Sequence, residues 1–141
     1  MENMKLRLLI LFIIGGIVGF IIDTTYRSVA ELTFSHQGFA TSLFGFTFPF
    51  LPIYGFGLVI IYLIHRFVKN IAYKAIFFGL SLALLEFFGG MFTKLVLGTR
   101  LWDYSTNTLN ILGHTDALHI IYWVVLGLLA DYVFKRIKKL I

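Results

Sequence analysis

The sequence predicts an all-α integral membrane protein, folded as a bundle of four transmembrane helices. Of its 141 residues, 59% are hydrophobic and 13% are charged, whereas soluble domains carry about 25% charged residues. A soluble domain of this size could not cover so much apolar surface with so few charges. Four apolar segments are long enough to cross a hydrocarbon core of ~30 Å as helices. We therefore expect a single polytopic membrane domain over residues 1–141.

The predicted spans are residues 6–26, 49–67, 74–96 and 117–134. Lipid offers no hydrogen-bonding partner to the backbone, so segments of this length must be helical. The first segment has a second interpretation as a signal peptide. Lys5 and Arg7 precede its apolar run, and Ser28-Val29-Ala30 suits cleavage. Cleavage there would leave three spans.

The distribution of positive charge predicts that both termini lie in the cytoplasm of a multi-pass protein of the plasma or inner membrane. Four spans place nine basic residues on the side of the termini: Lys5, Arg7, Arg66, Lys69, Lys74, Lys135, Arg136, Lys138 and Lys139. Three lie on the other side: Arg27, Lys94 and Arg100. The two longer connections, residues 27–48 and 97–116, then face outward.

The first span carries a series of glycines and charged residues at steps of four: Gly15, Gly19, Asp23, Arg27 and Glu31. Gly15 and Gly19 form a GxxxG pair, which lets another helix approach closely and suits a contact with a second subunit. The three charged residues can pair along the outer end of the helix. The series is either a packing face with a salt-bridged end or one charged wall of an outward pocket.

The connection after the first span reads LFGFTFPFLPIYGFG over residues 43–57. Pro49 and Pro52 limit helix formation, and the glycines permit tight backbone turns. The stretch is too apolar for a hydrated loop. We therefore expect an interfacial or partly re-entrant segment over residues 38–50, between helices 1 and 2.

The third span places small residues and one acid on a narrow stripe, formed by Gly79, Ala83, Glu86, Gly90 and Thr93. The small residues predict a groove for a neighbouring helix, and they direct Glu86 into the bundle near the membrane midplane. An ionisable residue at this depth is a functional candidate because it is costly there without a partner. The alternative is a hydrogen-bonded glutamate that only stabilises helix packing.

Residues 100–105, RLWDYS, lie just beyond the third span. Trp102 and Tyr104 suit the aromatic belt of a membrane interface. Arg100 and Asp103 can pair with each other or with the charged residues of the first helix. We hypothesise that this stretch closes an outward-facing polar cavity whose floor is Glu86. Its predicted lining is Glu86, Arg100, Trp102, Asp103, Tyr104, Asp23, Arg27, Glu31, Asn110 and His119.

Cofactors and nucleic acid are not expected. The chain has no cysteine, which excludes thiolate nucleophiles and thiolate metal sites. Asp116 and His119 share one face of the fourth span, but no spacing typical of a metal site, such as HExxH, is present. The net charge of +5 comes from residues that flank apolar segments, so the expected partner is the headgroup region of a lipid bilayer.

Three motifs, PFLPIYGFG (49–57), LEFFGG (85–90) and RLWDYS followed by Asn110 and Gly113, occur in this order. With them the sequence resembles the Putative ABC-transporter type IV family, also called CmpB-like, of small polytopic bacterial membrane proteins. The resemblance implies a permease-like role and carries over the following as motif positions only: Pro52, Tyr54, Gly55, Gly57, Glu86, Gly90, Arg100, Trp102, Asp103, Tyr104, Asn110 and Gly113. The chain departs from the family pattern at His114-Thr115-Asp116, where a basic residue and small residues are expected.

Three functions remain open from the sequence. The first is a small transporter or permease component, which needs a second copy or a partner membrane subunit because four helices hardly enclose a path. The second is an enzyme acting on a lipid-like substrate, with Glu86, His119 and Asp103 as general acid or base and Arg100 binding a phosphate headgroup. The third is a non-catalytic partner or sensor subunit. The absence of HExxH and GxSxG motifs favours a protein that is not an enzyme.

Overall fold

The computed structural model describes residues 2–30, 41–43, 46–48, 51–98, 100 and 102–137, without the side chains of residues 2, 27–30 and 97 and of the strands. These residues form α1 (Glu2–Ala30), β1 (Thr41–Leu43), β2 (Phe46–Phe48), α2 (Pro52–Phe67), α3 (Ile71–Leu97) and α4 (Ala117–Ile137). The prediction of four helices is confirmed in the described residues. The two short strands were not predicted.

Three of the helices in the described part of the chain are long and apolar enough to cross a membrane, over Asn3–Tyr26, Ile71–Val96 and Ala117–Ile137. The fourth, α2, is apolar but has 16 residues, which corresponds to a length of only about 24 Å. It begins at Pro52 because proline lacks the N–H that the first helical position leaves unpaired. The second predicted span therefore started three residues too early.

The strands β1 and β2 pair antiparallel, with Thr41 opposite Phe48 and Leu43 opposite Phe46. They fall within the segment 38–50 that was predicted to be interfacial or re-entrant, and its remaining residues lie outside the described part. Strands of three residues carry too little alternation of polar and apolar residues to be recognised in a sequence. The placement of this segment in a membrane stays a prediction.

The structure divides into two compact units, Met1–Val59 and Ile60–Ile141. In the first unit, α1 packs against the start of α2 through its GxxxG pair. A Cβ atom at Gly15 would lie 2.8 Å from Leu58 Cβ, and one at Gly19 would overlap the Tyr54 side chain. Only glycine leaves room for these contacts. The predicted packing pair thus contacts α2 of the same chain.

In the second unit, α3 packs along α4. Phe78 is fully buried on α3, and its ring carbon Cγ would lie 2.5 Å from a Cβ atom at Gly127 of α4. Gly79 makes a similar approach to Val124, with a Cβ-to-Cγ2 distance of 2.9 Å. This close approach of the two helices holds Glu86 of α3 beside the start of α4.

The two ends of α3 are defined by a capping side chain at its start and by a glycine at its end. The side-chain oxygen of Asn70 accepts hydrogen bonds from the main-chain N–H groups of Ala72 and Tyr73, at 2.9 and 3.3 Å. Gly98 ends the helix in the left-handed region, with φ of 68°. The chain then turns back over the end of the helix pair.

Candidate functional site

The connection between α3 and α4, described over residues 100 and 102–116 and called here the 100–116 loop, is held together by its own polar side chains. Arg100 Nη1 lies 2.8 Å from Asp103 Oδ1, and the main-chain N–H of Ser105 donates to the same oxygen at 3.0 Å. Of the two predicted alternatives for Arg100 and Asp103, the structure thus contains the pair with each other. The Ser105 N–H and, to a smaller extent, the Arg100 guanidinium lower the pKa of Asp103.

Asn110 and Trp102 also act within this loop. The amide nitrogen of Asn110 donates to the main-chain oxygens of Ser105 and Asn107, at 3.1 and 2.8 Å, and its oxygen accepts from the N–H of Gly113 at 3.0 Å. The indole Nε1 of Trp102 donates to the carbonyl of His114 at 2.9 Å. Through these contacts Asn110 and Trp102 shape the loop.

Glu86 is 4% exposed and accepts hydrogen bonds from two neutral hydroxyl groups. Tyr104 of the loop donates to Oε1 at 3.2 Å, and Thr115 at the end of the loop donates to Oε2 at 2.7 Å. No Lys or Arg side chain among the described residues forms a salt bridge with it. Each oxygen of this buried carboxyl group therefore has a neutral partner.

Asp116 and His119 extend this polar cluster. The carboxylate of Asp116 caps α4 by accepting from the His119 N–H at 2.8 Å, and it contacts His119 Nδ1 at 2.8 Å and Asn107 Nδ2 at 2.6 Å. The His119 ring stacks on Tyr104, with ring centroids 3.9 Å apart. Tyr104 thus joins Glu86 to the pair formed by His119 and Asp116. We use the name Glu86 cluster for this group, which consists of Glu86, Tyr104, Asn107, Thr115, Asp116 and His119.

The charge state of Asp116 follows from its partners. Burial alone would raise the pKa of Asp116, but the hydrogen bonds from Asn107 and from the main chain and ring of His119 outweigh it, so the pKa lies below its usual value. Asp116 is therefore ionised at neutral pH.

His114 shows why a glycine is needed at position 90. A Cβ atom at Gly90 would lie 2.6 Å from His114 Nδ1, so the imidazole packs directly on α3. Burial, and then the charges of Arg100 and Lys94, lower the pKa of His114, which leaves it neutral at pH 7. Its Nδ1 has no hydrogen-bond partner among the described residues. The tripeptide His114-Thr115-Asp116 thus provides Thr115 to Glu86 and His114 to Gly90.

A second buried acid was missed by the sequence reasoning. Asp131 of α4 is 1% exposed, and Lys74, His65 and Lys135 surround it. His65 Nδ1 lies 2.7 Å from Oδ1, Lys135 Nζ lies 2.7 Å from Oδ2, and Lys74 Nζ contacts Oδ1. An acid within an apolar helix, four residues before a lysine, was a signal that could have identified it.

The charged residues predicted on the first helix are described only in part. Within the first unit, the hydroxyl oxygen of Tyr54 lies 3.5 Å from Asp23 Oδ1. The side chain of Arg27 and all of Glu31 lie outside the described residues. In the part of the chain that the structure describes, no group of three or more His, Asp or Glu side chains could hold a metal ion.

Comparison with protein families gives one result that bears on function. The family described as Putative ABC-transporter type IV matches residues 10–141. The chain belongs to this family. Together with the three apolar helices, the family description indicates a transporter-related membrane protein. No curated protein and no solved structure matches the chain.

Proposed function

We propose that this member of the family is a transporter component in which Glu86 takes up and releases a proton during transport. The observation that carries the proposal is the pairing of the buried Glu86 with the hydroxyl groups of Tyr104 and Thr115. A hydroxyl group can donate to a carboxylate and accept from a carboxylic acid, so the same two partners suit both protonation states. Ionisable residues within membranes characteristically line proton relays and ion pathways.

The Glu86 cluster offers a route between the buried carboxyl group and the loop. Tyr104 contacts Glu86 through its hydroxyl and His119 through its ring, and His119 contacts Asp116. Because Glu86 is buried in this conformation, exchange with water requires the loop to open. The outward-facing polar cavity expected from the sequence is then the open state of this cluster, with Glu86 as its floor.

The proposal includes further subunits and an orientation. Four helices hardly enclose a path, so we expect a homo-oligomer or a partner membrane subunit. These 141 residues contain no Walker lysine motif, so the proposal does not assign ATP hydrolysis to them. The basic residues favour a cell-membrane protein with both termini in the cytoplasm. In intact cells, an impermeant thiol reagent should therefore label T106C and leave K69C unlabelled; the reverse pattern would invert the orientation.

Proton flux tests the role of Glu86. The full chain is reconstituted into vesicles that contain the pH-sensitive dye pyranine, and a potassium gradient with valinomycin drives proton entry. We expect the unaltered protein to acidify the vesicles and Glu86→Gln to reduce the flux to that of empty vesicles. Asp103→Asn, which alters a half-exposed acid of the same loop by the same chemical change, should keep the flux. Equal flux through Glu86→Gln and the unaltered protein would refute the proposal.

A further inference from the structure

A basic pocket lies at the end of the second unit that is remote from the 100–116 loop. It has a volume of about 590 Å³, within the range of roughly 300–1,000 Å³ typical of small-molecule sites. The last turns of α2 and α4 and the first turn of α3 form its walls. The side chains that matter below are His65, Lys69, Lys74, Tyr132, Lys135 and Arg136.

The charges around this pocket are unbalanced. Four cationic side chains of the described residues line it, and the one described carboxylate that pairs with any of them is Asp131, which binds Lys74 and Lys135. The remaining cations, Lys69 and Arg136, are exposed and form no salt bridge with a described carboxylate. A concave surface with such an excess of positive charge concentrates anions.

Tyr132 contacts Arg136 and orients its guanidinium group at this surface. Its Nε donates to the Tyr132 hydroxyl at 3.0 Å, and its guanidinium carbon lies 5.0 Å from the centre of the Tyr132 ring. This arrangement leaves the terminal nitrogens of the guanidinium for a ligand. A guanidinium group that is held in place binds the oxygens of a phosphate with paired, charge-assisted hydrogen bonds.

We propose that this basic pocket binds a phosphate group, presented by the headgroup of an anionic phospholipid or by a soluble phosphate compound. The pocket lies at the start of α3 and the end of α4, two apolar helices that are long enough to span a membrane. The ends of a membrane-spanning helix lie at the depth of the lipid headgroups. Basic pockets between transmembrane helices bind such headgroups. In this site Asp131 anchors Lys74 and Lys135, while Lys69 and Arg136 provide the charges for the ligand. The site is separate from Glu86 and does not depend on the transport proposal.

Native mass spectrometry of the full chain in neutral detergent tests this site. Phosphatidylglycerol, phosphatidylcholine and inorganic phosphate are added in separate titrations. We compare the unaltered protein with the double variant K69Q/R136Q and with K5Q/R7Q, a control that removes the same charge from exposed positions of α1. We expect saturable binding of phosphatidylglycerol that is weakened at least about tenfold in K69Q/R136Q and unchanged in K5Q/R7Q.

The other outcomes are equally decisive. Binding of inorganic phosphate that K69Q/R136Q weakens and K5Q/R7Q does not would support the phosphate site and assign its ligand to solution. Equal binding of phosphatidylcholine and phosphatidylglycerol, or equal losses in the two double variants, would overturn the proposal. Circular dichroism melting curves of both variants verify folding, which we expect to be unaltered because all four substituted side chains are exposed.

Discussion

Glu86 and Asp131 are both buried carboxylates on neighbouring helices, yet their partners differ in kind. Glu86 receives two neutral hydroxyl groups, from Tyr104 and Thr115. Asp131 receives two lysine ammonium groups and the imidazole of His65. A carboxylate that is surrounded by cations must stay ionised to keep them buried, whereas one that is surrounded by hydroxyl groups can change its protonation state. The cations around Asp131 therefore suit a structural anchor, and the hydroxyl groups around Glu86 suit proton exchange.

The largest loss of stability is expected from substitution of Asp131. Asp131→Asn leaves Lys74, which is 3% exposed, as a buried charge without its counter-ion. We expect a loss of about 3–5 kcal/mol in the free energy of unfolding. Adding Lys74→Met should recover most of the loss, because an apolar side chain replaces the unpaired charge. Denaturation in mixed detergent micelles measures both variants, and a loss below about 1 kcal/mol for Asp131→Asn would show that the ion pair is not an anchor.

Removing the donors of Glu86 should have an intermediate effect. Thr115→Val leaves Oε2 without its partner in a buried site, and we expect a loss of about 1–3 kcal/mol. Tyr104→Phe should cost less, because its hydrogen bond of 3.2 Å is longer than the 2.7 Å bond of Thr115. The same denaturation experiment ranks the two variants. Because Tyr104→Phe keeps the ring that stacks on His119, a larger loss in this variant would mean that the Tyr104 hydroxyl contributes more than the Thr115 hydroxyl.

Substitution of Glu86 itself should cost less stability than Thr115→Val does. In Glu86→Gln, one hydroxyl can still donate to the amide oxygen and the other can rotate to accept from the amide nitrogen. We expect a loss of about 1 kcal/mol or less, together with the loss of proton flux proposed above. If Glu86→Gln unfolds the protein as readily as Asp131→Asn does, the two carboxylates have the same role and the comparison fails.

The smallest effect is expected at Asp116, whose pKa is lowered in the folded state. A group of this kind stabilises the fold fully above its unfolded pKa of about 4, and the contribution is lost as the pH falls through the lower folded value. The melting temperature should therefore fall below about pH 4. Asp116→Asn should remove part of this fall while changing little at pH 7, since asparagine caps a helix as well as aspartate. An equally steep fall in the variant would exclude Asp116 as a source.

Much of the membrane architecture was predictable because it depends on composition and periodicity. Runs of apolar residues predicted the helices, and the regular spacing of small residues predicted that Gly79 and Gly15 would lie at helix contacts. The start of α2 was misplaced because the apolar run continues through Pro49, while a helix can begin at Pro52. The strands β1 and β2 were not predicted, since pairs of three-residue strands are defined by their partner and not by their own pattern.

Residues of the site were predictable only where the sequence pattern of a single helix identified them. Glu86 was recognisable as an acid in an apolar helix, and Asp116 with His119 as neighbours one turn apart. Asp131 was overlooked although it carries the same signal as Glu86. Its partners His65 and Lys74 belong to other helices, so no local spacing relates them to it. Asn110 and Trp102 were predicted to line a cavity, which stays a prediction, and the structure adds the hydrogen bonds by which they shape the loop.

The sequence by itself determined the class of this protein, because the cost of exposing apolar side chains and unpaired backbone groups depends on composition and length. Only the tertiary structure decided which partners each buried acid receives. Residues 104 and 115 come from the two ends of one loop, and residues 65 and 74 come from two helices, so their distances from Glu86 and Asp131 depend on how the elements pack. Since the partner determines whether a buried carboxylate must stay charged, that packing separates the proposed proton site from the anchor.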